Sequence, residues 1–186
     1  MCNDKYLTRP VKLSAKIYYE TLFDQVANKG FAGFLFSFTH KKLELIPHVL
    51  NKNKLEKILE IGAGSGQHLK YVKQNFSEHT LTDINFKFLN DYNNKKDTKI
   101  RIKMADVQNL PFKSAHFDRV ICSCLLHHVQ DFEKALLEMR RVTKRGWLVS
   151  IYLSCDPGIM NRLFRSIFIL PKAKSKGFDE YKVFCR

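Results

Sequence analysis

Ile58-Leu59-Glu60-Ile61-Gly62-Ala63-Gly64-Ser65-Gly66-Gln67-His68 is the stretch that decides the fold. A short apolar run carries one acid near its end, and three glycines come next at alternate positions before helix-forming sequence resumes. The pattern predicts a strand running into a tight loop and out into a helix. Glycine is wanted there because the turn needs positive φ and because the backbone must come close to a ligand. Glu60, at the strand tip, would repel a pyrophosphate but can accept a hydrogen bond from a ligand amine.

The strand candidates beyond the loop narrow the ligand. Leu81-Thr82-Asp83 closes the next one and places a carboxylate 17 residues after Gly66. An acid at about that distance takes ribose hydroxyls in dinucleotide and adenosine sites. Ile100 to Ala105 alternates apolar and polar residues like a strand and stops at Asp106, a second strand-tip carboxylate placed to meet an adenine amino group. Phe117 to Cys124 reads as a fourth, largely buried strand. Strand ends with polar residues at the carboxyl side describe a ligand crevice in a doubly wound sheet. A ligand with a cationic amino-acid end and an adenosine end suits this crevice, and S-adenosylmethionine has both.

Taken singly, each signal has a plainer meaning. A Gly-x-Gly-x-Gly loop also serves nicotinamide and flavin sites, or is simply a tight turn. Here its third glycine comes one position earlier than in the dinucleotide fingerprint. Asp83 alone can be a helix N-cap, and Asp106 a turn residue. The order of the signals separates the readings. Glu60 to Gly66, Asp83, Ala105-Asp106 with Leu110-Pro111-Phe112, Phe117-Asp118-Arg119-Val120 through Leu126-His127-His128-Val129, and Ala135 to Val142 followed by Gly146-Trp147 form one series. That series resembles the class I S-adenosylmethionine-dependent methyltransferases, in the branch that handles mostly small molecules and lipids, over roughly residues 55 to 155.

The resemblance implies an α/β fold, a doubly wound and mostly parallel sheet of Rossmann-like type. It also implies S-adenosyl-L-methionine as cofactor. The glycine loop would hold the methionine moiety, Asp83 the ribose, and Asp106 would face the adenine. The cofactor-contacting set it implies is Glu60, Gly62, Ala63, Gly64, Gly66, Asp83, Ile84, Ala105, Asp106, Val107 and Cys122. The sulfonium is already activated, so transfer needs a positioned acceptor and, for a hydroxyl, a base. His127 and His128 come after the fourth strand, beside the expected methyl group, and a histidine near neutrality can take the acceptor's proton. Packing or loop anchoring is the alternative duty for both. His68, at the start of the helix expected after the loop, reads as a neighbour of the cofactor's carboxylate or as a helix cap.

Length and composition bound the rest. A chain of 186 residues with 45% apolar content is long enough for a proper core. Its five cysteines are odd in number and scattered, so they form no disulfide framework. Cys122 and Cys124 alternate on a buried strand, where cysteine behaves as a small hydrophobe; a metal site there lacks a second ligand pair. No amino-terminal leader or membrane-length apolar run is apparent, which makes the cytoplasm the default compartment. The net charge of +14 is spread along the chain and suits an anionic acceptor, a membrane surface or nucleic acid, or serves solubility alone. No Asn/Asp-Pro-Pro-Tyr element comes after the fourth strand, so nucleic acid is the weaker expectation.

Two regions are expected: a helical extension over 1–54 and a cofactor-binding domain over 55–186. In the extension, Leu13 to Ala27 has roughly helical spacing. Phe31 to Phe38 packs four phenylalanines into eight residues as a candidate acceptor-pocket wall, and a helix is expected next over Lys41 to Leu50. At the other end, Gly146 to Leu153 is the fifth strand, Gly158 to Leu170 an apolar-faced helix and Tyr181 to Cys185 a strand start. The resemblance implies a further antiparallel pair, for which the sequence has no material. The expectation is therefore an incomplete C-terminal edge open to association, and an inactive partner subunit as the alternative to an enzyme acting on a small-molecule or lipid acceptor.

Overall fold

In a computed structural model, residues 30–49, 55–85, 97–153 and 167 are described. The helices expected over Leu13 to Ala27 and Gly158 to Leu170, and the strand start at Tyr181 to Cys185, lie outside the described residues. Residues 37–153 form one compact unit that holds the whole sheet, while residues 30–36 belong to a second unit. The division between the units falls within the helix Gly30–Leu43.

The first described helix, α1, spans Gly30–Leu43, and α2 spans Leu45–Val49. Five strands come next: β1 Lys57–Ile61, β2 Glu78–Asp83, β3 Ile100–Met104, β4 Phe117–Ser123 and β5 Thr143–Tyr152. Helix α3, Phe132–Val142, lies between β4 and β5. The strands pair in the order β3-β2-β1-β4-β5, and every pair is parallel. Burial explains the strand sequences. β1 and β4 are buried on both faces, and each has an apolar run interrupted by buried charge, Glu60 in β1 and Asp118 and Arg119 in β4. β3 is an edge strand and carries Arg101 and Lys103, charges that discourage a further strand from pairing.

Alternation along these strands makes two faces. Leu59, Ile61, Val120 and Cys122 point to one side, where α3 covers them with Ala135, Met139 and Val142. Those three positions recur at helical spacing, which is why α3 forms and how it turns. Asp131 caps it by accepting from the Lys134 amide at 2.9 Å, and Arg140 and Arg141 sit in its last turn, favourable to the helix dipole. Glu138 and Arg141 form a fork at 2.6 and 2.8 Å, which donates to the Leu110 and Phe112 carbonyls and accepts from the Leu110 amide. The Leu110-Pro111-Phe112 motif is therefore held by side chains of α3. The opposite face carries Ile58 and Ile121 with Leu55, and beside them Glu60 and Arg119, both buried.

The helix expected over Lys41 to Leu50 is instead the end of α1 and the short α2, parted at Glu44, and the fifth strand begins at Thr143 rather than Gly146. The glycine loop does not run into an α-helix; it leads only to a 3-10 turn at Leu69–Tyr71. Five positions, 62–66, are spent on the loop, and eleven residues (67–77) remain to reach β2. As an α-helix, eleven residues would span only ~16 Å, about the length of β1 itself, with nothing left for the joins. The faster-rising 3-10 turn and extended flanks make the crossing instead.

Candidate functional site

The sheet order reverses between β1 and β4: β2 and β3 lie beyond β1, and β5 beyond β4. Crevices outside the carboxyl ends of such strands are where open α/β sheets bind ligands. The glycine loop leaves β1 at this point. Gly62, Gly64 and Gly66 have φ of +65°, +53° and +71°, conformations that disfavour any side chain. Gly62 and Gly64 differ in kind. A Cβ on Gly62 would come within 3.0 Å of the Leu125 methyl groups, from the loop after β4, so Gly62 allows the two loops to pack. A Cβ on Gly64 would meet nothing within 4 Å, so its absence leaves open space at the loop's tip.

Asp83, at the end of β2, braces this loop. One carboxylate oxygen accepts from the Gly64 amide at 3.0 Å and the other from the Asn85 amide at 2.9 Å. Burial pushes its carboxyl above the usual value, and the backbone N–H groups of Asn85 and Gly64 pull it back. A carboxylate has about four acceptor positions, so room for ribose hydroxyls remains. Ile84 beside it is 70% exposed, an apolar surface next to the crevice. Asp106 accepts from the Gln108 amide at 2.9 Å and from the Gln108 side chain, an Asx-type turn that fixes it two residues beyond β3. Ala105 and Val107, on either side, are buried in the core.

Glu60 is not at the surface of the strand tip. Its carboxylate is buried against His79, with Oε2 3.3 Å from His79 Nε2, close enough to attract but misaligned for a hydrogen bond. A buried carboxylate oxygen without a hydrogen bond costs free energy and suits a cationic partner. Cys122, by contrast, is wholly buried among Leu59, Ile61 and Val120, and burial pushes its thiol up to about 12. Its position is that of a core residue, facing α3 and not the crevice. His127 and His128 lie in a 3-10 turn, Leu126–His128, directly after β4; the side chain of His127 is outside the described residues, and His128 is half-buried. Cys124, just before them, has φ of +55°, rare for a residue with a side chain, at the end of β4 where a strained backbone often serves a site.

His68 stands at the N-cap position of the Leu69–Tyr71 turn, as expected, but its side chain does not cap. It is buried, bonded to His40 and Glu44. Arg119, Glu44 and His40 are functional-looking residues that sequence reasoning passes over. The available signal is a charge in the middle of the apolar run from Phe117 to Cys124, since a buried guanidinium demands a buried acid. A groove of about 430 Å³ runs past Ser65, Gly66 and Lys70 towards Asp97 and Ile100. Its lining takes in Gly66 of the loop but not Gly62, Gly64 or Asp83. Phe34 and Phe38 of α1 are exposed. Among the described residues no cluster of metal-ligating groups occurs, and no helix is long and apolar enough to cross a membrane.

A positive-φ glycine loop at a switch point, braced by a strand-end acid, defines a Rossmann-like nucleoside-binding domain. Comparison with known proteins assigns it further. A family model described as methyltransferase domain matches residues 59–150. The polyketide synthase component of lovastatin nonaketide synthase from Aspergillus terreus is 29% identical over 118 residues, 58% of this chain and 4% of the synthase. The CurJ carbon methyltransferase superposes with a TM-score of 0.58 at 23% identity, over 70% of this chain and 38% of that one. A Methanococcus maripaludis protein described as an S-adenosyl-L-methionine-dependent methyltransferase superposes with a TM-score of 0.64 at 17% identity, over 88% of this chain and 78% of that one. The chain belongs to the class I S-adenosylmethionine-dependent methyltransferases, whose cofactor is S-adenosyl-L-methionine. It spans only 2 to 4% of the length of fungal synthases such as these.

Proposed function

We propose that this chain transfers a methyl group from S-adenosyl-L-methionine to a small-molecule acceptor in the cytoplasm, with carbon as the favoured atom. The observation that carries the reading is the loop itself: Gly64 faces open space while its amide is held by the Asp83 carboxylate. In this reading Gly62, Ala63, Gly64 and Gly66 take the amino-acid end of the cofactor, and the unsatisfied Glu60 oxygen attracts its ammonium group. Asp83 takes the ribose, and Ile84 and Asp106 flank the adenine, with Ala105 and Val107 anchoring Asp106 from the core. The bound cofactor supplies an activated methyl group, so the protein's own work is to orient the acceptor and exclude water. His127 or His128 serves as the base where the acceptor must lose a proton.

The acceptor class draws on the relatives: one is a polyketide synthase component, and another is described as a carbon methyltransferase. The net charge of +14 favours an anionic acceptor or one presented at a lipid surface. Titration calorimetry on the folded chain tests the core of the proposal. S-adenosylhomocysteine should bind, NAD should not, and Gly64→Val should abolish binding by filling the open space and resisting the loop's φ. Binding of NAD alone, or normal binding by Gly64→Val, sinks the reading. Label transfer from methyl-tritiated cofactor to a panel of β-ketoacyl, fatty-acyl and phenolic acceptors then separates the acceptor classes.

A further inference from the structure

Glu44 lies at the join of α1 and α2, on the face of the sheet opposite α3. Its Oε1 accepts two hydrogen bonds, from His68 Nε2 at 2.8 Å and from Arg119 Nη1 at 2.8 Å. Arg119 is 0% exposed; it also donates to the Leu43 carbonyl at 3.1 Å and to Ser150 Oγ at 3.1 Å, tying β4 and β5 to the end of α1. His68 completes the chain on its other side, with its Nδ1 2.6 Å from His40 Nδ1. His40 in turn stacks on Tyr71, ring centroids 5.4 Å apart and planes 4° from parallel.

Burial, first, and then His68 hold His40 near a pKa of about 4, so it is neutral at physiological pH. Glu44 can only accept, which fixes one proton of the chain on His68 Nε2. His68 Nε2–H donates to Glu44, and one Nδ1 of the His40–His68 pair donates to the other. Burial alone would raise the Glu44 carboxyl, but the bond from His68 and the charge of Arg119 outweigh it and hold it ionised.

This relay ends two residues beyond the glycine loop. Between Ala63 and Tyr71 the backbone is held by short turns: Gly66 donates to Ala63 at 2.8 Å, Leu69 to Gly66 at 3.3 Å and Tyr71 to His68 at 2.8 Å. Such turns have poorer geometry than an α-helix and do not make a rigid exit. A buried side chain fixed on both ring nitrogens supplies what the missing helix does not. We propose that His68 and Glu44 are positioning residues for the cofactor, locking the exit of the glycine loop to the end of α1 so that Gly64 and Gly66 stay in their ligand-ready conformation. The proposal rests on the loop being the cofactor site.

Three variants of the full chain test it. His68→Phe keeps an aromatic ring and leaves the Glu44–Arg119 pair intact. His68→Gln restores a donor to Glu44, because its amide nitrogen lies near the place of Nε2. Two readouts are taken: amide exchange at Gly64 and Gly66 without ligand, and affinity for S-adenosylhomocysteine. His68→Phe should fold, exchange about tenfold faster at the two glycines, and bind about tenfold more weakly, the size of one charge-assisted hydrogen bond. His68→Gln should recover most of both. Unchanged exchange and affinity in folded His68→Phe, or losses that glutamine does not recover, overturn the proposal, since a merely structural role would lower thermal stability alone. If His68→Phe does not fold, His40→Phe decides: it keeps the Tyr71 stack, breaks the outer link, and should still quicken the glycines, whereas no change overturns the lock. A wild-type chain that ignores the nucleoside while His68→Phe still quickens the loop refutes the cofactor reading and not the restraint.

Discussion

The two faces of one sheet are built by opposite rules. On the α3 side, Leu59, Ile61, Val120 and Cys122 meet Ala135, Met139 and Val142, and no charge is present in that cluster. On the other side the same strands present Glu60 and Arg119, which join His79, His68, His40, Glu44 and Ser150 in burial. The apolar face needs only volume and shape, and so tolerates conservative swaps. The polar face needs every partner, because an unpaired charge in a low-dielectric layer costs several kcal/mol. It is also the face that touches the loop's exit and α1. The difference separates a layer that makes the fold stable from one that couples the fold to its site.

Removing one charge from the polar face should have the largest effect. Arg119→Met leaves the Glu44 carboxylate buried without its counter-charge and should destabilise by about 3–5 kcal/mol in urea unfolding. The double variant Glu44→Leu/Arg119→Met should recover most of that, since replacing both members of a buried pair by apolar groups is often neutral or better. A single variant costing under about 1 kcal/mol would show that the pair is not what holds this face together.

The sequence makes the apolar face legible and the polar face almost invisible. The first four strands come from short-range patterns (apolar runs, alternation and strand-end polar residues) and the fifth from the resemblance, whereas the strand order and its switch point appear only in three dimensions. The helix expected after Gly66 fails because the deciding constraint, a crossing of only eleven residues, depends on where β2 begins. Arg119 and Glu44 stand 75 positions apart, and nothing local says that one answers the other. Asp83 is expected from the sequence to meet ribose, but its bond to the Gly64 amide, 19 positions away, appears only in three dimensions. Cys122 illustrates the same limit from the other side. The β4 alternation is clear, but which face looks to the crevice is set by how α3 docks.

Acid should loosen the polar face before the apolar one. His40 has its pKa lowered to about 4 by burial and then by His68, with Lys70 also lowering it and the Glu60 and Glu44 carboxylates opposing. An unfolded histidine titrates near 6.5, so between about 6.5 and 4 the unfolded chain binds more protons than the folded one. Stability is therefore full above about pH 6.5, falls as pH drops towards 4, and loses no more from His40 below that. The total is at most about 3 kcal/mol. Urea midpoints measured from pH 7 to 4 check it. His40→Phe should flatten that range, and an unaltered pH slope in the variant would mean that another group titrates there.

Asp83 has two duties, since it braces the loop and faces the proposed ribose site. Asp83→Ala should weaken S-adenosylhomocysteine by about 1.5–3 kcal/mol, or about ten- to a hundredfold. Asp106→Ala should cost less, because a neutral adenine amine is a weaker partner and its carboxylate is already engaged with Gln108. Calorimetry on the two variants orders them. A larger loss at Asp106 would exchange their roles at the two strand ends.

Cys122 gives the smallest effect and the sharpest division between core and crevice. The sequence places it among the cofactor contacts, but its side chain is wholly buried on the α3 face, where a thiol acts as a small hydrophobe. Cys122→Ala deletes a single heavy atom from that core, comparable to trimming one methyl group, and should cost about 0.5–1.5 kcal/mol of stability. The flanking Leu59, Ile61 and Val120 can close part of the space, which favours the lower end. Because the sulfur faces α3, the affinity for S-adenosylhomocysteine should not change below the unfolding transition, and thiol reagents should leave Cys122 unlabelled in the folded chain while its pKa stays near 12. A drop in affinity without a drop in stability would turn β4 over, putting Cys122 on the crevice side and making the face covered by α3 the one that meets the cofactor.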